Sequence, residues 1–402
     1  MQILKPKRIL TCDDDFTILK DVCIAFSDQI VKIAPLNELK KLYPNAKFID
    51  FSDCVLAPAF VNTHIHFEFS SHKGQLKYGD FLPWLGSIME HGSEVRADEE
   101  RVKSAINSVL KSGTASVGAV SSFGAELNAL VASPLRSVIF TEAIGSSAEK
   151  IEQSWGWFMS RFDAVNALKS DKFIPALSVH SPYSVHKELA KRVIKLAKEC
   201  DLICCSHFME SLAERRWLEQ AKGGFEAHLK RFSLNTKPLY SVDEFKSLFD
   251  GLHTLFTHCV FVRDFKEFDK SLHFITHCPV SNRLLGKRSL SLNKIARAGL
   301  CLNIGTDGLS SNFSLSMLDE LRAALFIHSS TELNTLARTL FRAATSGGAR
   351  ALRIDAGEIA PAKLADFALF NAPLCEDFEL AAKIILNEKE ARALFIGGSR
   401  VF

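Results

Sequence analysis

The sequence lacks the features that would assign it to a membrane, to nucleic acid or to an oxidising compartment. No apolar stretch is long enough for a signal peptide at the start or for a bilayer span in the 402 residues. The formal net charge is only +3 and no long basic run occurs, so neither nucleic acid nor an anionic membrane is indicated as a partner. Internal repeats and low-complexity tracts are also missing. We therefore expect a compact cytoplasmic protein.

The ten cysteines lack the paired C-x-x-C spacing of thiolate metal sites and redox motifs. Most of them lie inside apolar runs, among them Cys204, Cys205, Cys259, Cys278 and Cys301. This placement favours buried free thiols in a reducing cytoplasm over disulfides. Hydrophobic residues make up 47% of the chain and charged residues 24%, which is enough apolar material for a large core.

From about residue 55 the chain alternates strand-like apolar runs with longer helical stretches such as 190–199 and 316–329, a pattern typical of a parallel α/β fold. Eight strands are predicted, at residues 55–66, 115–120, 137–143, 174–180, 202–207, 254–258, 274–277 and 300–304. Eight parallel strands with intervening helices indicate a (β/α)8 (TIM) barrel, whose active site lies at the carboxyl ends of the strands.

Both ends of the chain consist of shorter strand-like pieces separated by turns. These are predicted at residues 8–11, 21–26, 30–33, 47–50, 365–370, 383–386 and 392–398. The sequence therefore predicts a small β-sandwich domain built from residues 1–54 and 353–402, joined to a barrel over residues 55–352.

His64 and His66 stand two residues apart at the end of the first predicted barrel strand. Residues i and i+2 of a strand point to the same face, so both imidazoles can bind one metal ion. His207, His258 and Asp307 each follow an apolar run of their own. Three neutral imidazoles and one carboxylate suit a divalent metal, zinc first and ferrous iron second. We predict a mononuclear site whose ligands are His64, His66, His207 and Asp307.

Two further residues have side chains suited to proton transfer. Glu210 lies three residues after His207, just beyond a strand end, where it can exchange protons with a substrate. His258, on the next strand, can orient an attacking water and stabilise developing charge. Taken singly, a strand-end histidine is often structural, Asp307 before a glycine can be a turn residue, and Glu210 can favour a helix start. Their combination at four strand ends favours a metal site, whereas His277 at the end of the seventh strand has no assigned role.

Several motifs resemble those of the amidohydrolase superfamily, in its branch of nucleoside, purine and triazine deaminases and chlorohydrolases. They lie at residues 58–66 (PAFVNTHIH), 179–183 (VHSPY), 206–210 (SHFME), 277–282 (HCPVSN), and 305–308 (GTDG) with Ser311 and Asn312. Residues 357–359 with 364–366 resemble the tail motif that enters the family's small β domain. The resemblance covers nearly the whole chain and implies a metal-dependent aminohydrolase.

The resemblance implies the same four metal ligands and gives roles to the other residues. Glu210 would carry a proton to the ring nitrogen of the substrate, His258 would orient the attacking water, and Asp307 would accept its proton. His180 would contact the substrate ring. Ala59 and Ala362 stand where the family usually has glycine, and both lie outside the chemistry.

The first loop, residues 67–74 with 78–85, is similar to that of the aminofutalosine deaminases, which serve the futalosine route to menaquinone. The resemblance implies 6-aminodeoxyfutalosine as the substrate, a purine nucleoside whose 5′ substituent carries a benzoate. Trp84 is expected to contact the substrate, with a core-facing helix position as the alternative. Other candidates for substrate contacts are Lys73, His72 and Arg136 for the carboxylate, and Glu90 and Glu94.

Other functions stay open at this point. Relatives that deaminate S-adenosylhomocysteine or methylthioadenosine differ in the first loop, and guanine or triazine aminohydrolases and chlorohydrolases use the same kind of site. A metal-stabilised binding protein on the same fold is the non-enzymatic alternative, although such proteins typically lose ligands or the proton-carrying glutamate. The assembly also stays open, with a homodimer as one alternative.

Overall fold

The computed structural model describes residues 1–91, 98–231 and 236–402. The strands are β1 (Gln2–Leu10), β2 (Ile18–Lys20), β3 (Cys23–Phe26), β4 (Ile30–Ala34), β5 (Lys47–Pro58), β6 (Phe60–His66), β7 (Thr114–Ser121), β8 (Arg136–Ala143), β9 (Phe173–Val179), β10 (Cys204–Phe208), β11 (Thr254–His258), β12 (His273–His277), β13 (Cys301–Ile304), β14 (Asp307–Gly308), β15 (Phe367–Asn371), β16 (Ala393–Ile396) and β17 (Ser399–Arg400).

The α-helices are α1 (Leu36–Leu42), α2 (Phe81–His91), α3 (Glu99–Lys111), α4 (Leu127–Val131), α5 (Ile151–Ala167), α6 (Lys187–Glu199), α7 (Leu212–Gln220), α8 (Phe225–Arg231), α9 (Val242–Ser247), α10 (Pro279–Leu285), α11 (Leu292–Ala298), α12 (Met317–Ile327), α13 (Leu333–Arg342), α14 (Gly348–Ala351) and α15 (Leu380–Asn387). Short 3-10 turns lie at Phe67–Phe69, Ala148–Lys150 and Asp377–Glu379, and a π-helical stretch at Ala343–Gly347 precedes α14.

The larger sheet forms the predicted (β/α)8 barrel. Its order is β13-β12-β11-β10-β9-β8-β7-β6-β14, and every neighbouring pair is parallel. Only Gly305 and Thr306 separate β13 from β14, so the two together make the eighth strand, which pairs with β12 on one side and β6 on the other. Strands such as β7 and β8 are buried along their whole length, as expected for parallel strands covered on both faces. The barrel therefore gathers all strand ends with candidate site residues on one face.

Both ends of the chain form a second sheet, which we call the terminal sheet. Its order is β17-β16-β15-β5-β1-β3-β4, with β2 beside β1. β1 and β5 are parallel and the other pairs antiparallel. The rings of Phe26, Phe367 and Phe395 pack together with centroids 4.9 to 5.8 Å apart. The predicted meeting of the two termini in one small β unit is confirmed, whereas the boundaries 1–54 with 353–402 and 55–352 stay a prediction.

The predicted single strand at residues 55–66 is wrong, because the chain changes sheets within it. The N–H of Ala59 donates to the carbonyl of Asp366 in the terminal sheet region, at 3.1 Å. The next residue, Phe60, donates to the carbonyl of Gly113 at 2.9 Å, directly before barrel strand β7. Pro58, the last residue of β5, is the one local sign of this switch, because the apolar residues on either side of it are buried in both sheets.

The predicted strand at residues 383–386 is also wrong, because these residues belong to helix α15. Leu380, Ala381, Ile384 and Ile385 are buried at helical spacing, and α15 packs against α12 and α13. A short apolar run is compatible with either a buried strand or a buried helix, and packing decides between them.

Within the described ranges, no helix combines the length and apolar composition needed to cross a membrane. All ten cysteines carry free thiols, and most of them are buried. Burial raises the pKa of Cys204 to about 12, so this thiol stays protonated and unreactive at neutral pH.

Candidate active site

Six of the candidate site residues meet at the carboxyl ends of the barrel strands, where their side chains are buried. His64 and His66 lie at the end of β6, His207 in β10, Glu210 just after β10, His258 at the end of β11, and Asp307 at the start of β14. They come from positions up to 243 residues apart in the sequence (307 − 64), so only the barrel brings them together.

The predicted ligand atoms converge on one point. Nε2 of His66 lies 3.2 Å from Nε2 of His64. Oδ1 of Asp307 lies 3.8 Å from Nε2 of His64 and 3.6 Å from Nε2 of His66. The ring of His207 is edge-on to that of His64, with centroids 4.8 Å apart. Separations of this size suit donors that share one ion at bonds of about 2 Å. This group of histidines and one aspartate could therefore hold a metal ion.

The protonation states fit a metal site as well. Burial lowers the pKa of His64 well below its usual value and that of His207 to about 3, so both imidazoles are neutral, as metal ligands must be. Burial opposes ionisation of Asp307, but the positive charge that the surrounding imidazoles carry when protonated, that of His64 foremost, lowers the pKa of its carboxyl below the usual value. At neutral pH Asp307 therefore offers an ionised carboxylate beside neutral imidazoles.

Asp307 is held in place by hydrogen bonds from three directions. The hydroxyls of Ser281 and Ser311 donate to Oδ2 at 2.7 and 3.0 Å, and the N–H of Gly308 donates to Oδ1 at 2.9 Å. Such supporting donors fix the orientation of a ligand. Neither Ser281 nor Ser311 has a role predicted from the sequence, although both lie in the motifs that carry the family resemblance.

His258 directs one ring nitrogen into the site. Its Nδ1 lies 2.9 Å from Oδ1 of Asn282, an oxygen that can only accept, so Nδ1 carries the proton and Nε2 is an acceptor. Nε2 is buried and has no hydrogen-bond partner among the described residues; it lies 3.5 Å from Oε1 of Glu210 and 3.9 Å from Oδ2 of Asp307. A buried acceptor of this kind indicates a partner in the working site, such as water.

His277, which had no predicted role, lies behind Asn282 and does not reach the candidate ligands. Its Nε2 lies 2.9 Å from Nε2 of His328, and its Nδ1 lies 3.4 Å from Nδ2 of Asn282. His277 therefore supports the amide that orients His258.

Glu210 is positioned by a second glutamate, Glu214, which was not among the predicted site residues. The carboxylate of Glu214 accepts hydrogen bonds from the N–H groups of Met209 and Glu210, each at 2.9 Å. Ser211 caps α7 and accepts from the N–H of Glu214 at 3.0 Å, so the S-x-x-E capping pattern was the available signal. Burial raises the pKa of Glu210 well above its usual value, which favours the protonated form of this carboxyl.

The two predicted substrate contacts, His180 and Trp84, are linked by ring contacts through Tyr183 and Phe81. His180 directly follows β9, and its ring centroid is 4.9 Å from that of His207. Its Nδ1 lies 2.5 Å from Oγ of Ser184, which leaves Nε2 for another partner. Nε1 of Trp84 in α2 donates to the carbonyl of Ser310 at 2.9 Å, just after β14. Helix α2 is thus tied to the loop that follows Asp307.

The prediction of Arg136 as a partner for the substrate carboxylate is wrong. Arg136 is the first residue of β8, so it lies at the amino end of the barrel, about 25 Å along the strand from the site face. Its guanidinium donates to the carbonyl of Asp171 at 2.9 Å and lies 3.5 Å from Oδ2 of Asp366. Arg136 therefore joins the barrel to the terminal sheet.

The other candidate contacts have different surroundings. His72 is fully buried, with its ring 5.4 Å from that of Phe69. Lys73 is exposed in a groove with Arg101, away from the metal ligands. Glu90 forms an ion pair with Arg231, and Glu94 lies outside the described residues.

The profile of the amidohydrolase family matches residues 55–401. The chain belongs to the amidohydrolase family. This amidohydrolase is 40% identical to the aminodeoxyfutalosine deaminase of a Nitratiruptor species, over 99% of this chain and 98% of that protein. It is 39% identical to an adenosine deaminase of Helicobacter pylori, over 100% and 99% of the two chains.

The crystal structure of Helicobacter pylori aminofutalosine deaminase in complex with methylthio-coformycin has the same fold as this amidohydrolase. The two superimpose with a TM-score of 0.95 at 38% sequence identity, covering 100% of both chains. The family and these relatives make the protein a hydrolase of C–N bonds, which confirms the enzymatic prediction over the metal-stabilised binding protein.

Proposed function

We propose that this amidohydrolase removes the 6-amino group of 6-aminodeoxyfutalosine, a 5′-modified adenine nucleoside, as ammonia. In this reaction a C–O bond to water forms at the ring carbon and the bond to the amino nitrogen breaks. The observation that carries the proposal is the meeting of Glu210, His258 and Asp307 within 4.8 Å of one another. This group lies in a chain that is similar over its whole length to an aminodeoxyfutalosine deaminase.

The proposal includes one divalent metal ion held by His64, His66, His207 and Asp307. Zinc suits a set of three imidazoles and one carboxylate best, and ferrous iron is the second choice. When bound, the ion lowers the pKa of a water molecule and so supplies a nucleophile at neutral pH. The neutral imidazoles and ionised carboxylate described above support this assignment.

Three side chains divide the proton transfers in this mechanism. Asp307 is ionised and accepts the proton of the attacking water, whereas Nε2 of His258 orients that water and stabilises the charge on its oxygen. Glu210 donates its proton to the ring nitrogen next to the attacked carbon. The proton taken up by Asp307 then passes to the amino nitrogen, which leaves as ammonia, and the new hydroxyl group returns a proton to Glu210 as it becomes the carbonyl. The opposite charge states of Asp307 and Glu210, set by their different surroundings, support this division of roles.

His180 and Trp84 complete the proposed binding site. Nε2 of His180 is free to contact the purine ring, because Nδ1 is occupied by Ser184. Trp84 contributes an apolar wall from α2, which is tied across the face at Ser310. The proposed substrate assigns the reaction to the futalosine route to menaquinone, and the ten free thiols fit a reducing cytoplasm.

A substrate panel tests the proposal. Ammonia release by the metal-loaded enzyme would be measured with adenine, adenosine, methylthioadenosine, S-adenosylhomocysteine, 6-aminodeoxyfutalosine and guanine. We expect the highest kcat/KM for 6-aminodeoxyfutalosine. Methylthioadenosine is the second candidate, because the matching crystal structure holds methylthio-coformycin. A higher kcat/KM for methylthioadenosine or S-adenosylhomocysteine would overturn the substrate while leaving the deaminase mechanism in place.

A further inference from the structure

A cleft of about 410 Å³ opens on the site face and takes no part in the proton transfers described above. Its walls come from residues 79–82 of the first loop, the start of α7, Phe261 after β11, and the turn 285–288 after α10. Ser211, which lines the cleft, is bonded directly to Glu210. The N–H of Phe261 also donates to the carbonyl of Met209 at 2.9 Å. The cleft therefore adjoins the proposed proton donor.

The inner walls of this cleft are apolar. Phe81, Phe261 and Leu285 are buried, and Leu82 and Leu212 are half-buried beside them. A pocket lined in this way can accept an aromatic ring, because both ring and walls leave water when they pack together.

Three cationic side chains lie around the same cleft, all of them exposed: Arg216, Lys287 and Arg288. The guanidinium of Arg288 lies over the ring of Phe261, 5.6 Å from its centroid. In the part of the chain that the structure describes, none of the three has an ion-pair partner.

The acidic groups nearby do not neutralise these cations. The neighbouring Arg215 and Arg263 share Glu219, at 3.9 and 2.8 Å. Asp80, the acidic residue of the cleft lining, accepts from the N–H of Leu82 at 3.3 Å. The cleft therefore carries an excess of positive charge at its edge.

We propose that this cleft binds the 5′ substituent of the nucleoside when that substituent is an aromatic carboxylate. The ring would pack against Phe81 and Phe261, and the carboxylate would pair with Arg216 and Arg288, with Lys287 beside them. Guanidinium groups suit this task because they donate two parallel hydrogen bonds to a carboxylate. The inference rests on the proposed function, and it assigns the carboxylate to residues other than Lys73, His72 and Arg136.

Steady-state kinetics of Arg216→Gln, Arg288→Gln and the double variant test this assignment with two substrates. The 5′ substituent of 6-aminodeoxyfutalosine is anionic, whereas that of methylthioadenosine is neutral. We expect KM for 6-aminodeoxyfutalosine to rise about 10- to 100-fold in the double variant, the usual effect of losing hydrogen bonds to a charged group. KM for methylthioadenosine and kcat for both substrates should stay near the wild-type values. Arg297→Gln is the matched control, because Arg297 is an exposed arginine in α11 away from the cleft.

Two results would overturn the cleft assignment. One is a double variant whose KM changes equally, or not at all, for the two substrates. The other is a selective rise in KM for 6-aminodeoxyfutalosine in Lys73→Gln, which would place the carboxylate at the first loop.

Inhibition by benzoate separates this inference from the proposed function. If the wild-type enzyme does not deaminate 6-aminodeoxyfutalosine, the proposed substrate is wrong, and benzoate inhibition of methylthioadenosine deamination then tests the cleft by itself. Weaker inhibition of the double variant than of the wild type supports an aromatic-carboxylate site. Equal inhibition of both, or none of the wild type, overturns it.

Discussion

At the scale of single residues, two members of the site and a neighbouring residue have backbone conformations that residues other than glycine rarely adopt. The φ angle is +52° at Met209, +74° at His258 and +60° at Asp307. Left-handed residues of this kind cost about 1–3 kcal/mol each and persist only where the surrounding structure holds them. Here the hydrogen bonds to Glu214, Asn282 and the two serines beside Asp307 provide that support. The turns direct the side chains from the strand ends into the site.

Replacing a proposed ligand should remove metal and activity together. In His207→Ala the imidazole is lost from a buried position, and the remaining donors cannot complete a four-ligand set. We expect bound zinc or iron, measured by elemental analysis of the purified protein, to fall well below one ion per chain. The same result is expected for His64→Ala, His66→Ala and Asp307→Ala. Full occupancy in His207→Ala would contradict the ligand assignment.

Substitution of Glu210 should lower the rate of the chemical step without lowering the metal content of the protein. Glu210→Gln keeps the size of the side chain but loses the exchangeable proton, so kcat should fall at least ~10²-fold. The metal content should stay at the wild-type level, which makes this variant the control for the ligand variants. His258→Asn should behave in the same way. Turnover near the wild-type rate in either variant would show that the residue does not have the proposed role.

At the scale of elements, the turn from β10 into α7 determines where Glu210 points. Glu214 lies in the first turn of α7 and reaches back to two N–H groups of the turn, so the helix and the turn are joined by a buried carboxylate. An acidic residue in this position is also favoured by the partial positive charge of the helix N-terminus. The orientation of the proton donor therefore depends on the start of the helix that follows it.

The variant Glu214→Gln tests this dependence. An amide offers only one oxygen, so one of the two N–H groups would face an NH2 group and lose its partner, at a cost of about 1–3 kcal/mol. We expect a lower thermal midpoint and a kcat lowered more than KM is raised, with metal content unchanged. Glu219→Gln is a suitable comparison, because Glu219 lies further along α7 and pairs with Arg263 at the surface. Equal effects of the two substitutions on kcat would argue against a positioning role for Glu214.

The eighth strand approaches the first one closely at Gly305. A Cβ at this position would lie 2.7 Å from Cβ of His64 and 2.9 Å from its backbone oxygen. Gly305→Ala should therefore displace His64 and lower metal content and activity. Overpacking of this kind typically costs about 1–3 kcal/mol.

Gly156 in α5 provides the control for this variant. A Cβ there would have no neighbour within 4 Å, so Gly156→Ala should keep full activity and gain about 0.5–1 kcal/mol of stability from the better helix former. Normal metal content in Gly305→Ala, measured beside Gly156→Ala, would show that the strands can separate without disturbing the site.

At the scale of the whole molecule, the proposed metal ligands connect distant parts of the barrel. They come from β6 and β14, which pair with each other, and from β10, which lies four strands away from β6 around the ring. An ion held by these strands binds the folded barrel and not the unfolded chain. Metal binding should therefore stabilise the fold in addition to supporting the chemistry.

Removal of the metal with a chelator should lower the thermal midpoint of the wild-type protein. An ion present at 1,000 times its Kd stabilises the native state by about 4 kcal/mol, and this stabilisation is lost with the ion. Differential scanning calorimetry before and after chelation measures the effect, and adding zinc back should reverse it. His207→Ala serves as the control, because its midpoint should hardly respond to the chelator. A wild-type midpoint that is also unresponsive would contradict binding by the folded barrel.

The sequence by itself determined the fold class and the residues that meet in the site. Parallel strands share one direction, so polar residues at their carboxyl ends meet on one face whatever the details of packing. His64 and His66 point the same way because alternate residues of a strand share a face. Local spacing and strand count were therefore sufficient to select His207, Glu210, His258 and Asp307.

Only the tertiary structure decided features that depend on contacts between distant segments. The change of sheet at Ala59, the helical state of residues 383–386 and the position of Arg136 at the amino end of the barrel all depend on which neighbours the chain meets. The cleft beside Glu210 likewise joins segments from four parts of the chain. An apolar run looks the same in the sequence whether it forms a strand or a helix. A single charged residue likewise looks the same at either end of a barrel strand. Packing and hydrogen bonding across the fold therefore decide which structure each segment adopts.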